Sequence, residues 1–299
     1  MPEPDASGFV SFPAPIDLAL TLGPIAHGRG DPTIRFGPDG IWRATRTLEG
    51  PATFRLRTIE GGVEVSAWGP GAALAVEDAA DLMGANDDPS ALVPKHRLIG
   101  ELVHRFPGLR LPRTNRPFES LLPAICEQKV AGVEARAAFR GIIAMHGEPA
   151  PGPAGLRLQP TSATLAALPY FAFHQFGLER RRADLIRHAA ALAPRLDGAS
   201  PAETYARLGA VPGIGPWTLA EVGRIAFGDP DAISVGDYHL PNLVAWALAR
   251  EPRADDARML ELLEPYRGQR GRVQRLLEAS GIRAPRYGPR MTPQRIARI

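Results

Sequence analysis

Leu208-Gly209-Ala210-Val211-Pro212-Gly213-Ile214-Gly215-Pro216-Trp217-Thr218, with Val235-Gly236-Asp237-Tyr238 further along, is the stretch on which the reading of this chain turns. Gly213 and Gly215 flank an apolar Ile214 between two segments with helical spacing. Glycine tolerates positive φ and close approach of another backbone, so such a turn is tight and bares its N–H groups. Ser200-Pro201-Ala202-Glu203 announces the preceding helix, with capping-box spacing and proline at the first helical position. Tyr205, Leu208 and Val211 continue it. The following helix starts near Pro216 and carries Leu219, Val222, Ile225 and Ala226 on one side. Its amino end faces the turn, where unpaired N–H groups and the helix dipole attract phosphate. Alone, a Pro-Gly-x-Gly turn is equally consistent with an ordinary corner in a helical protein.

The context is more specific. The hairpin, the Gly/Pro-rich Gly228-Asp229-Pro230-Asp231 and then Asp237 resemble the helix-hairpin-helix of the HhH-GPD superfamily of DNA glycosylases. Further matches resemble its alkylbase branch, the AlkA-type 3-methyladenine DNA glycosylase II. Pro117-Phe118-Glu119 with Ile125-Cys126-Glu127-Gln128 is similar to the first helix of the catalytic domain, Gln128 standing at the glutamine that faces DNA. Glu264-Pro265-Tyr266-Arg267 is similar to the Pro-Trp-Arg motif, and Asp81 to Pro89 to the acidic segment between domains. The resemblance covers roughly residues 9 to 280, closely at the hairpin and Asp237 and loosely in the first 110 residues. It implies an α+β protein: mostly α-helical HhH-GPD glycosylase domains preceded by a small antiparallel-sheet N-terminal domain.

Composition agrees. The 299 residues are 44% hydrophobic, enough for two or more cores, and the formal net charge is +3. No run of eighteen apolar residues and no signal-peptide pattern occurs, so a cytoplasmic protein, nucleoid-associated when bound to DNA and without a membrane partner, is expected. A single cysteine, Cys126, excludes a disulfide scaffold and a four-cysteine iron–sulfur cluster. The seven histidines show no paired spacing with a carboxylate, which disfavours a metal-dependent nuclease. Residues 1–8 are expected to be a disordered tail, 9–95 an N-terminal α/β domain, 96–282 the helical glycosylase region in two subdomains, and 283–299 a basic tail. Alternating runs such as Thr53 to Arg57 and Gly62 to Trp68, punctuated by Pro38-Asp39-Gly40 and Glu60-Gly61-Gly62, predict antiparallel hairpins. Asp17 to Leu22 opens a short helix over that sheet, and from Ser90 helices dominate, one run reaching from Phe118 to His146. Gly147 to Gly155 reads as a linker.

Cleaving a base from its sugar develops positive charge on the sugar, which a nearby carboxylate stabilises. Asp237 is the candidate; it could equally orient or deprotonate the attacking water, and an aspartate just before a helix is also a common N-cap. An enzyme acting on a base extrudes it from the duplex and holds it against aromatic faces, and a cationic alkylpurine adds a cation–π attraction. The resemblance places Trp217, Tyr238 and Tyr266 in that pocket; core packing is the alternative for each. Strand-cutting relatives use a lysine two residues after the second glycine as nucleophile, where this chain has Trp217. Its lysines, Lys95 and Lys129, both lie outside the hairpin. The resemblance therefore implies monofunctional hydrolysis without lyase activity.

Gly213, Gly215, Trp217 and Thr218 are the candidate phosphate contacts, joined by Gln128 and Lys129 at the DNA face. Lys129 stands where these proteins carry an apolar wedge, so its ammonium must reach phosphate or water. Glu221, one turn after Trp217, replaces a common pocket aromatic; it favours a cationic base, accepts from an amino group, or faces solvent. No cofactor is required under this reading, although the family's hairpin carbonyls hold a structural sodium or potassium ion, and Val211 and Ile214 fall near those positions. Between Arg267 and Arg298 nine arginines face one acid, Glu278, a plausible backbone-binding surface or a solvated tail. Arg180-Arg181-Arg182 reads as a solvated helix end. The partner implied is double-stranded DNA containing damaged bases, met by a monomer. The alternative is a catalytically altered relative that recognises damaged duplex without releasing a base.

Overall fold

Three two-residue reversals fold the first part of the chain. In the computed structural model, which describes residues 2–285, β2 (Ile34–Gly37), β3 (Gly40–Thr47), β4 (Gly50–Ile59) and β5 (Gly62–Trp68) follow one another as hairpins. The closing pairs are Gly37–Gly40, Thr47–Gly50 and Ile59–Gly62. The last turn needs a left-handed residue, supplied by Gly61 at φ 79°. An earlier strand, β1 (Ala6–Ser11), pairs antiparallel with β5 and completes the sheet in the order β1-β5-β4-β3-β2. Ala6, Ser7 and Gly8 are thus strand, not disordered tail: three ladder partners on β5 hold a segment whose polar, proline-containing composition alone suggested none.

One core forms where Phe54, Leu56, Val63 and Val65 meet three short helices, α1 (Leu18–Leu22), α2 (Ala72–Glu77) and α3 (Ala79–Leu82). Asp17 caps α1 through the Leu20 amide at 2.9 Å. A smaller cluster around the stacked Trp42 and Trp68 meets Leu156 and Leu158. Residues 147–155 are accordingly not a bare linker: β6 (Glu148–Pro149) pairs with β7 (Arg157–Leu158).

The helices divide between two further cores. After α4 (Arg97–Arg105), the chain forms α5 (Pro117–Glu127), α6 (Gly132–His146), α7 (Ser162–Ala167), α8 (Arg180–Leu192), α9 (Pro201–Gly209) and α10 (Pro216–Val222). From α5 onward these share a core around Ile125, Phe139, Ile186 and Val222. The last helices, α11 (Leu240–Ala249), α12 (Asp256–Leu263) and α13 (Arg270–Ser280), enclose the other core and take α4 back into it through Ile99 and Leu102. The expected helical run from Phe118 to His146 is broken between α5 and α6, where Lys129 adopts φ 54°. No helix among the described residues is long and apolar enough to cross a membrane.

Much of the carboxyl-terminal arginine content is used internally. Arg267 pairs with Glu264, Arg270 with Asp231, and the buried Arg272 with Asp87. Arg182 is also buried, donating to the Cys126 carbonyl and to Glu179, so the Arg180–Arg182 cluster is in part a structural clamp and not simply a solvated helix end. Arg286, Arg290, Arg295 and Arg298 lie outside the described residues.

Candidate active-site cleft

The hairpin is built by α9 ending where its own carbonyls are reused. The Ser200–Glu203 capping box starts α9, and Val211 N–H returns to the Leu208 carbonyl at 3.0 Å. Ile214 N–H then donates to the Val211 carbonyl at 3.0 Å, while the Ile214 side chain is buried in the helical core and pins the turn. Gly213 takes φ 102°, a value that β-carbon sterics disfavour. The amides of Gly213 and Gly215 have no acceptor among the described residues, and Trp217 N–H lies in the first turn of α10, before the i→i−4 ladder begins.

Gln128 clamps this turn from α5. Its amide nitrogen donates to the Gly213 carbonyl at 3.1 Å and to Thr218 Oγ1 at 2.9 Å. Thr218 is buried and occupied, so it braces the hairpin and does not present its hydroxyl to a phosphate. The clamp leaves Lys129, exposed and in left-handed conformation, at the tip of the adjoining loop. A non-glycine residue with positive φ is strained, and such strain persists where the surroundings impose it.

Asp237 braces the entry to α11 and lines the cleft at once. Its Oδ1 accepts from the amides of His239 (2.7 Å) and Leu240 (2.8 Å) at the start of α11, and Oδ2 accepts from the Trp217 indole at 3.2 Å. These donors are neutral, so they fix the carboxylate without cancelling its charge. Asp237 and Trp217 line a cleft of about 430 Å³ whose other walls come from Gly23 and Pro24, from Glu127, and from α13.

A polar network forms part of the cleft's lining. Glu221 accepts from Arg224 at 2.9 Å and Ser234 at 2.5 Å; Arg224 also reaches Glu278 at 2.8 Å. Gln274 joins Ser234 (3.2 Å) to Glu278 (2.8 Å). Burial pushes the Glu221 carboxyl above its ordinary value despite Arg224 beside it. Burial works against the Arg224 charge, but Glu221 and Glu278 outweigh it and hold the guanidinium above its ordinary range. Arg275, lowered by burial, donates to the Leu20 carbonyl and keeps an unpartnered Nε. Cys126 is buried and its thiol is pushed up to about 12, so it stays protonated and inert as a nucleophile.

Two expected pocket residues lie elsewhere. Tyr238 is 82% exposed with its ring against His239, because the chain turns outward before α11 begins at Leu240. Tyr266 is buried in the last helical core, its hydroxyl accepting from the Lys95 amide at 3.3 Å. Trp217 and Glu221 do reach the cleft, and Glu221 is turned into the network, not out to solvent. Glu127, Arg224, Gln274 and Glu278 were not foreseen. The i,i+3 spacing of Glu221 and Arg224 and the i,i+4 spacing of Gln274 and Glu278 were the available signals; nothing local marked Gly23 and Pro24.

No family model matches the sequence, and no curated protein matches it. Among solved structures, it superposes on a 3-methyladenine DNA-glycosylase from Archaeoglobus fulgidus with TM-score 0.74 at 18% identity, covering 91% of this chain and 98% of that one. The Clostridium acetobutylicum 8-oxoguanine glycosylase/lyase bound to double-stranded DNA gives 0.69 at 14% identity, covering 92% and 99%. This chain has the DNA-glycosylase fold. A third match, the Schizosaccharomyces pombe 3-methyladenine DNA glycosylase with abasic DNA, has TM-score 0.52 at 19% identity and covers 64% of this chain and 96% of that one. Among the described residues no group of histidine, cysteine and carboxylate side chains could hold a metal ion.

Proposed function

We propose that this protein is a monofunctional DNA N-glycosylase of base-excision repair that hydrolyses the N-glycosidic bond of alkylated purines, 3-methyladenine type, after base flipping. The observation that carries the reading is Asp237 Oδ2 held by the Trp217 indole in a cleft opening beside a glycine hairpin with unpaired amides. Gly213, Gly215 and Trp217 amides bind a phosphate next to the lesion, and Lys129 approaches the duplex at the neighbouring loop. The extruded base enters the cleft against the Trp217 ring. As the bond to the base lengthens, the Asp237 carboxylate stabilises the cationic sugar, and water completes the hydrolysis. An indole has no amine to form a covalent imine, so the abasic strand stays intact.

The Val211 carbonyl, with one lone pair engaged by Ile214 N–H, and the Ile214 carbonyl are oxygen donors of the kind that suit a hard monovalent cation. Sodium or potassium held there adds positive charge beside the bound phosphate. The protein acts on double-stranded DNA as a monomer.

Release of free base from randomly methylated duplex tests the proposal. Wild type is expected to release methylated purines without nicking the strand, and Asp237→Asn to release about 10² to 10³-fold less at unchanged duplex affinity. Equal release by both rejects the assignment of Asp237. Binding without release by wild type leaves a damage-recognition protein instead.

A further inference from the structure

Among the described residues four carboxylates line the cleft beside Trp217, and three of them are already hydrogen-bonded within the protein. Asp237 accepts from the Trp217 indole at 3.2 Å and from two amides at the start of α11. Glu221 accepts from Arg224 at 2.9 Å and from Ser234 at 2.5 Å, and Glu278 accepts from Arg224 and Gln274, both at 2.8 Å. Glu127 is the fourth. No described residue makes a hydrogen bond to either of its oxygens; His27 Nδ1 lies 3.5 Å from Oε1, longer than a good one. Its side chain is 34% exposed in the wall of an open cleft, so a ligand can reach it.

The chain on either side of Glu127 is held. The Cys126 carbonyl accepts from the buried Arg182 at 3.0 Å, and Gln128 clamps the hairpin through the Gly213 carbonyl and Thr218. An unpaired carboxylate is thereby set at a fixed place relative to the hairpin and to Trp217 after it, as a recognition group must be. It also stands at a cost. Burial raises the Glu221 carboxyl, and the Glu127 charge adds to that rise. A ligand that brings positive charge and N–H donors relieves the repulsion and satisfies the oxygens together.

We propose that Glu127 reads the Watson–Crick edge of the extruded base and makes the cleft selective for an N7-alkylguanine. The proposal rests on the glycosylase reading above and narrows its alkylated purines to one class. Guanine places N1–H and one N2–H side by side, spaced to meet two carboxylate oxygens. Adenine sets the N1 lone pair beside its amino group and repels one of them. Alkylation at N7 leaves the guanine edge free, and the positive charge it creates strengthens both bonds to the carboxylate. With the purine against Trp217 and its edge on Glu127, Asp237 is left to the sugar.

Duplexes carrying one N7-methylguanine or one N7-methylhypoxanthine test the proposal, because the two bases share the methyl group and the positive charge and differ by the 2-amino group alone. Methylated duplex DNA supplies 3-methyladenine as a third base. Wild type is expected to release N7-methylguanine about ten-fold faster than N7-methylhypoxanthine in single turnover, within the range that a bidentate base contact discriminates. Glu127→Gln and Glu127→Ala are each expected to bring that ratio near one, a change that does not depend on how readily either base leaves by itself. Thermal melting of each variant checks that it folds, and either folded variant suffices. A wild-type ratio near one, a ratio unchanged in the variants, or wild-type release of 3-methyladenine with neither N7-methyl base overturns the role of Glu127 and leaves the glycosylase reading standing. Binding of these duplexes with release of no methylated base, 3-methyladenine included, overturns the glycosylase reading itself.

Discussion

The two ends of α10 serve the same site by opposite means. At its amino end the working groups are backbone amides of Gly213, Gly215 and Trp217, exposed by a turn that glycine and proline shape within a few residues. At its carboxyl end Glu221 and Arg224 work through side chains, and their partners Ser234, Gln274 and Glu278 arrive from two other segments. Under the proposed glycosylase reading, a phosphate grip is built locally, whereas a pocket that distinguishes bases depends on charges brought together and desolvated by the fold.

Substitutions at the two ends should therefore fail differently. The largest effect is expected at Asp237, tied to α10 through Trp217: Asp237→Asn should raise the barrier to base release by about 3–4 kcal/mol, read in single-turnover assays. Its melting temperature should fall only slightly, because the asparagine Oδ1 keeps both amide bonds at the start of α11 while its Nδ2 cannot accept from the Trp217 indole. Arg224→Ala should cost about 3 kcal/mol of unfolding free energy in urea titrations, since Glu221 and Glu278 lose their common cation. An unchanged midpoint would show that the network contributes no stability.

At the amino end the expected loss is smaller and is seen mainly in DNA binding. Gly213→Ala must adopt φ near 102° with its β-carbon 3.3 Å from Leu185 Cδ2, costing about 1–2 kcal/mol. Affinity for undamaged and damaged duplex should fall together; a selective loss for damaged DNA would place the hairpin in lesion recognition. The smallest effect is a pH slope. Burial raises the Glu221 carboxyl above its ordinary value near 4.5, so the folded state binds its proton more tightly than the unfolded one. That contribution is present below about 4.5 and is lost as pH rises through the raised value. Glu221→Gln removes it, so wild type should lose stability relative to the variant over that window. Parallel profiles would mean that Arg224 keeps Glu221 ionised throughout.

The hairpin, its capping box and the position of Asp237 were legible because each depends on residues close in sequence whose roles are set by φ, by missing N–H groups or by cap chemistry. The sheet was legible for the same reason, through alternating apolar residues between glycine turns. Tyr238 and Tyr266 were misplaced because an aromatic side chain suits an exposed ledge, a pocket wall or a core equally well. Only the direction in which α11 and α13 leave their loops separates those fates. Ala6 to Gly8 were missed because a strand at the chain's start is held by its partner, here β5, and carries little signal of its own.

The sequence by itself determined a glycine hairpin between helices, an aspartate at a helix start, and an indole, not an amine, two residues after the second glycine. These follow from local backbone geometry and from which functional groups a side chain possesses. Tertiary structure alone decided that the indole holds the aspartate, that Gln128 and Thr218 brace the turn, and that the cleft is walled by Gly23, Glu127 and α13. It also decided that Glu221 is half-buried beside Arg224. Burial and pairing depend on neighbours distant in the chain, and it is removal from water that gives those charges their force.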